Sequence, residues 1–171
     1  MHLLVIRHAI AEDKEVFART GRGDDLRPLT DEGRAKMRRA AAGLRAIAPK
    51  LALVATSPLV RARQTAEIVV AALGPVRTES VEVLRPDRDF DEFIAWLQTR
   101  AERENDGAIA VVGHEPHLAG LVTWLMTGFD ESRIELKKGG ACLLNFEGEL
   151  REGGAALLWL LTPSQLRELG D

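Results

Sequence analysis

The chain has 171 residues, 46% of them hydrophobic, and sets 23 lysines and arginines against 26 aspartates and glutamates, a net charge of −3. That length and apolar share predict one domain over residues 1–171, with one sizeable core and no linker. The near-balanced charge excludes a global attraction to nucleic acid or to an anionic membrane, so an anionic partner needs a locally basic pocket.

Leu3 to Ile6 is a continuous apolar run of the kind that fills a strand buried on both faces. Arg7 and His8 follow where that strand ends, which places a cation and an imidazole where open α/β sheets bind ligands. Glu12 to Pro28 has neither a helical nor an alternating period, is rich in charge and carries Gly21 and Gly23; a loop of that length reads as a lid or binding segment. Thr30 caps a helix with Asp31 and Glu32 in its first turn and Met37, Ala40, Ala41, Leu44 and Ile47 as its apolar stripe. Its other face, with Arg34, Arg38, Arg39 and Arg45, is solvated, and Pro49 ends it.

Leu51 to Ala55 is a second buried strand, after which Ser57 and Pro58 read as an N-cap and first-turn proline; the helix they launch buries Ile68, Val69, Ala72 and Leu73. Gly74 and Pro75 close that helix, and Thr78 to Leu84 reads as a third strand. A helix over about Asp89 to Arg103 carries Phe90, Phe93, Ile94 and Leu97 at helical spacing, and Asn105 to Gly107 is the turn out. Ala108 to Gly113 is a fourth buried strand, and His114 follows it as His8 follows the first. Pro116 starts another helix, with Leu118, Leu121, Val122, Leu125 and Met126 inward. Ala141 to Phe146 and Ala155 to Leu161 form a hairpin, and a short helix starts at Pro163. Strands alternating with helices through residue 127 predict a three-layer α/β/α sandwich with a mostly parallel central sheet and a C-terminal hairpin.

The single cysteine, Cys142, excludes an intrachain disulfide and a thiolate zinc site; its apolar setting marks an inert strand residue, and a reducing cytoplasm is the expected compartment. Met1 to Ala11 lacks the basic flank of a signal sequence, and Ala155 to Leu161 is too short to span a bilayer.

Because parallel strands point the same way, Arg7, His8, Arg61 and His114 converge at one edge of the sheet. Two arginines, two histidines and the amides of helix starts make an oxyanion site, for which phosphate is the usual occupant. No acidic cluster of metal-binding type accompanies them, so neither a metal nor a cofactor is expected.

These residues resemble the histidine phosphatase superfamily, in its small SixA-type phosphohistidine phosphatase branch. The resemblance rests on RHA at Arg7 to Ala9, LRPLT at Leu26 to Thr30, SPLVRARQTAE at Ser57 to Glu67 and VGHEP at Val112 to Pro116, in the expected order over nearly the whole chain. It implies a phosphoglycerate mutase-like fold, His8 as a nucleophile that becomes phosphorylated, Arg7 and Arg61 as ligands of the phosphoryl oxygens, and His114 completing the pocket. Ala9 stands where the superfamily's motif usually has glycine, which puts in question only the close backbone approach at that point. The implied activity is a metal-independent phosphatase acting on a phosphohistidine-containing protein. Alternatives are a phosphomonoesterase acting on a small phosphorylated substrate, and a non-catalytic phosphoprotein-binding module.

Chemistry supports the assignments. A nucleophilic imidazole must be neutral, with its lone pair set by a hydrogen bond at the other nitrogen. His114 is then better placed as a donor to the transferring group. Asp87, Asp89, Asp91 and Glu92 are the carboxylates near a plausible general-acid position, but no motif selects one. A phosphohistidine substrate relaxes that requirement, because its leaving imidazole is far more acidic than an alcohol. Arg27 could reach the phosphate or brace Asp24 and Asp25. His117 reads as a rim or capping residue, His2 and Arg63 as surface residues, Lys137 and Lys138 as a solvated turn, and Trp96, Trp124 and Trp159 as core or groove residues.

Overall fold

Four apolar runs dictate the centre of the molecule. In the computed structural model, which describes residues 1–104 and 107–170, they become β1 (His2–Arg7), β2 (Leu51–Thr56), β4 (Ala108–Gly113) and β5 (Ala141–Phe146). With β3 (Arg77–Ser80) and β6 (Ala155–Leu161) they form a sheet of order β3-β2-β4-β1-β5-β6. β1 to β4 run parallel, β5 is antiparallel to β1, and β6 returns beside β5 as the expected hairpin.

Successive side chains of a strand point to opposite faces, so each central strand feeds two cores. Leu4, Ile6, Val54, Ala110 and Val112 pack under α2 (Asp31–Ile47), α3 (Val60–Leu73) and α6 (Pro163–Leu169). Leu3, Val5, Leu53, Ile109 and Val111 pack under α4 (Phe90–Arg103) and α5 (His117–Thr127). Each fully buried Leu, Ile or Val contributes about 1.5–3 kcal/mol relative to exposure, which makes these strands the rigid part of the molecule.

The helix after β1 covers one face and the helix after β4 covers the other, yet β1 and β4 are neighbours. That is a topological switch point, and the crevice it leaves beyond the carboxyl ends of the two strands is where such sheets bind ligands.

Several local expectations are corrected. The third strand ends at Ser80; Glu82–Leu84, expected as its continuation, is a 3₁₀ turn. The loop Glu12 to Pro28 contains α1 (Lys14–Ala18), capped by the Asp13 carboxylate, and a 3₁₀ turn at Asp24–Leu26. Ser57 is not the cap of α3: Leu59 holds that position, without a side-chain bond. The buried side of α3 is Arg61, Ala62, Thr65, Ala66 and Val69, while Ile68, Ala72 and Leu73 are only half-buried. Pro116 is the N-cap of α5 and His117 its first residue. Of the turn at Asn105 to Gly107, Asn105 and Asp106 lie outside the described residues.

α2 is tied down at both ends. Thr30 Oγ1 accepts from the Gly33 N–H at 2.9 Å, and at Gly43 the helix meets α6 so closely that a Cβ would stand 1.7 Å from the Leu166 carbonyl oxygen. Gly43→Ala is therefore expected to destabilise the protein by about 1–3 kcal/mol through overpacking. Gly148→Ala, which meets nothing within 4 Å, should leave the thermal midpoint unchanged; calorimetry of the two variants checks the contrast.

Candidate active site

Main-chain hydrogen bonds pin the segment after β1 at the switch point. The His8 N–H donates to the Gly113 carbonyl at 3.0 Å, and the Gly139 N–H donates to the Arg7 and His8 carbonyls at 3.1 and 3.2 Å. The Ala9 N–H donates to Thr65 Oγ1 at 3.0 Å, and that hydroxyl donates to the Arg61 carbonyl at 2.7 Å. The Ala9 methyl is buried in the core and the backbone bond to α3 forms beside it, so alanine is accommodated where the motif usually has glycine.

His8 and His114 come together with ring centroids 5.1 Å apart. His8 Nδ1 stands 2.7 Å from the Ala9 carbonyl oxygen, which can only accept; the proton is therefore on Nδ1 and the lone pair on Nε2. Burial, partly offset by that hydrogen bond and reinforced by the charges of Arg61, Arg7 and Arg27, lowers the His8 pKa to about 3. Burial, then the neighbouring His8 and Arg61, lower His114 likewise to about 3. His114 Nε2 is 2.8 Å from Ser57 Oγ, and its Nδ1 is buried without a partner among the described residues.

The arginines are held by carbonyls and one carboxylate. Arg61 donates through Nη1 to the Asp24 carbonyl and through Nη2 to the Asp24 carboxylate, both at 3.0 Å. Arg27 donates through Nε to the same carboxylate at 2.8 Å and through Nη1 to the Glu12 carbonyl at 2.7 Å. Arg27 thus braces Asp24, one of its two expected roles. Burial opposes ionisation of Asp24, but the hydrogen bond from Arg27 and the charges of both arginines hold its carboxyl below the usual range. Arg7 donates to the Leu136 carbonyl at 2.8 Å, with the half-buried Glu115 acting on it electrostatically. Arg7 Nε and Arg61 Nε are buried without partners among the described residues.

Ser57 was expected as a helix cap and Asp24 as a partner of Arg27, and neither Thr65 nor Glu115 was expected in the site. The brace of Arg27 on Asp24 is legible in their three-residue spacing, whereas the bond of Asp24 to Arg61 joins residues 37 apart; Thr65 and Glu115 lie inside the motifs without a pattern that assigns them a role. His117 is not at the rim. It is buried against Phe90 with Nε2 at 3.0 Å from the Arg88 carbonyl. Asp87, Asp89, Asp91 and Glu92 are all exposed, and none bonds to these site residues. Arg63 is exposed, on the far side of α3 from Arg61. Among the described residues no three histidines, cysteines or carboxylates are grouped to hold a metal ion, and no helix is long and apolar enough to cross a membrane.

The model of the histidine phosphatase superfamily (branch 1) matches residues 3–93. The chain belongs to that superfamily. An uncharacterized protein of Picosynechococcus is 37% identical over 141 residues, 82% of each chain. Phosphohistidine phosphatase SixA of Escherichia coli is 27% identical over 168 residues, 98% of this chain and 97% of its own. The solved structure of the protein histidine phosphatase SixA complexed with tungstate superposes with a TM-score of 0.81 at 26% identity, covering 97% of this chain and 99% of that one. A phosphoglycerate mutase of Bacillus anthracis shares the fold, with a TM-score of 0.72 at 13% identity over 100% of this chain and 97% of that one. Within the superfamily the chain is of the SixA type, and it is a phosphatase.

Both histidines hold a folded-state pKa near 3 against the ordinary 6.5. As pH drops below about 6.5 the unfolded chain takes up protons that the folded protein refuses, so stability is full above that pH and falls toward pH 3. Nitrogen-detected NMR of the free protein from pH 5 to 8 should find both rings neutral throughout, with His8 protonated on Nδ1. An imidazolium signal for either ring at pH 6 contradicts this electrostatic account.

Proposed function

We propose that the protein is a protein phosphohistidine phosphatase working through a phosphorylated His8, with cations rather than a metal ion meeting the phosphoryl charge. The observation that carries the reading is the set of nitrogens buried without a partner among the described residues: Arg7 Nε, Arg61 Nε and His114 Nδ1. A buried donor without an acceptor costs about 1–3 kcal/mol, and a tetrahedral oxyanion is the ligand that offers acceptors to several at once.

In this reading the Nε2 lone pair of His8 attacks phosphorus as the bond to the departing nitrogen breaks, and the substrate ring, already protonated on its other nitrogen, leaves as neutral imidazole. Water then attacks the phosphorus on His8, the His8–phosphorus bond breaks, and orthophosphate leaves with His8 neutral again. Arg7 and Arg61 bind the equatorial oxygens throughout. If Ser57 donates to His114 Nε2, the proton of His114 lies on Nδ1 and can be given to a phosphoryl oxygen.

The choice of a phosphohistidine rests on the carboxylates. Among the described residues the one carboxylate bonded to the site arginines, Asp24, is kept ionised by them, the exposed acids near Asp89 bond to none of the site residues, and Glu115, whose pKa burial raises, acts on Arg7 through its charge without a hydrogen bond to it. A leaving imidazole, whose conjugate acid has a pKa near 6.5, departs without a strong acid, whereas an alkoxide does not.

His8→Ala should leave a folded protein with no turnover, since a nucleophile has no substitute. Arg61→Ala should lower kcat/KM by about 10²–10³, whereas the exposed Arg63→Ala stays near the parent. Labelled phosphate trapped on the parent and absent from His8→Ala separates catalysis from mere phosphoprotein binding; equal losses at Arg61 and Arg63 would contradict the assigned geometry.

The rate should also fall steeply as leaving-group pKa rises, fast for a phosphohistidine peptide and aryl phosphates and slow for alkyl phosphates. A panel of the three reads this directly. Comparable rates on an alkyl phosphate, lost on amidation of one of Asp87, Asp89, Asp91 or Glu92, would give the phosphomonoesterase reading the lead.

A further inference from the structure

A second concavity lies at the same edge of the sheet, at the carboxyl ends of β1 and β6. It is a cavity of about 180 Å³ on the α2 side of the strands. Ile10, Met37 and Pro163 give it an apolar floor; Lys36, Lys138 and Arg167 stand around it, and no acidic residue lines it. Lys36 is engaged by Glu32 at 2.5 Å, but among the described residues Lys138 and Arg167 have no acidic partner. Its walls are continuous with the catalytic segment. Ala9, which lines it, follows His8, and Gly139, which also lines it, donates to the carbonyls of Arg7 and His8.

We propose that this cavity is a docking subsite for an acidic segment of the phosphoprotein substrate. An apolar side chain rests on Ile10, Met37 and Pro163, while flanking carboxylates meet Lys138 and Arg167. The proposal rests on the phosphohistidine phosphatase reading. Charge complementarity selects the occupant: two cations without an acidic partner among the described residues, over an apolar floor, suit a peptide carrying both characters. A free inorganic anion would leave the floor unused. The chain as a whole is net negative, so the preference for acidic sequence is local to this edge. Extended polypeptide advances about 3.3 Å per residue, so a short segment reaches from the cavity past Ala9 to His8.

The test uses the full chain and two synthetic phosphohistidine peptides, one flanked by Glu-Leu-Glu-Glu and one by Ser-Gly-Ser-Ser, with p-nitrophenyl phosphate as the small substrate. The acidic-flank peptide should have a kcat/KM about tenfold above the neutral one. Lys138→Glu/Arg167→Glu should erase that preference through KM and leave p-nitrophenyl phosphate turnover within about twofold. The glutamine pair should fall between, and the same charge reversal at the exposed Arg38 and Arg133 should do nothing. Thermal melts of each variant verify folding.

Equal use of the two peptides by the parent, or a preference that survives the double reversal, overturns the docking site. So does an equal loss on p-nitrophenyl phosphate, which would mean the lysine and arginine act through the catalytic pocket. A dimer of the parent that the double reversal dissolves would assign the cavity to a second copy, again overturning the proposal. Hydrolysis of an alkyl phosphate with neither peptide touched marks failure of the phosphohistidine reading itself, and the docking site falls with it.

Discussion

Three guanidinium groups stand around one neutral imidazole, and holding like charges together is the constraint from which the rest of the site follows. Two unit charges about 4 Å apart repel by about 4 kcal/mol at an effective dielectric of 20. The protein opposes this without an occupant in the pocket. Asp24 bridges Arg61 and Arg27 with one carboxylate, its carbonyl takes a further donor of Arg61, and the Leu136 carbonyl and the charge of Glu115 serve Arg7. Each brace occupies only part of a guanidinium. Among the described residues the Nε of Arg7 and of Arg61 have no partner, so the cluster is assembled in advance and still short of acceptors.

That assembly is possible because the residues bearing it stand on strands that cannot move. β1 and β4 are buried on both faces, and the helices after them leave on opposite sides, so His8 and His114 are brought side by side at a gap in the helical layers. Arg61 comes from α3, whose small residues Ala62, Thr65 and Ala66 let it lie close to the sheet. Thr65 then ties α3 to the Ala9 backbone, one residue from the imidazole.

The same contrast decides what the sequence could reveal. β1, β2 and β4 were legible because strands buried on both faces are written as unbroken apolar runs. β3 was not, being a four-residue edge strand with exposed Arg77, Thr78 and Ser80 and no alternation to mark its end. α1 buries only Phe17 and lacks a stripe. The side of α3 was misjudged because larger apolar residues were taken as the buried ones, whereas close packing chose alanine and threonine. Ser57 and Pro58 have the composition of a helix start, and tertiary structure used the hydroxyl for His114 instead. His8, His114, Arg7 and Arg61 could be picked out by motif and position, while the brace between Asp24 and Arg61 spans 37 residues and has no local pattern.

The protonation of His114 joins these strands of argument. In the free protein, burial and the fields of His8 and Arg61 keep that ring neutral, although its expected role is to donate to the transferring group. In the proposed reaction a phosphoryl dianion enters beside it. The anion offsets the cationic fields that depress the ring and supplies an acceptor for Nδ1, so both effects raise its affinity for a proton against burial and the nearby His117. In the proposed reaction His114 therefore takes up a proton more readily beside a phosphoryl group than in the free protein, and as an imidazolium it would donate through Nε2 to Ser57 as well as through Nδ1 to the oxyanion.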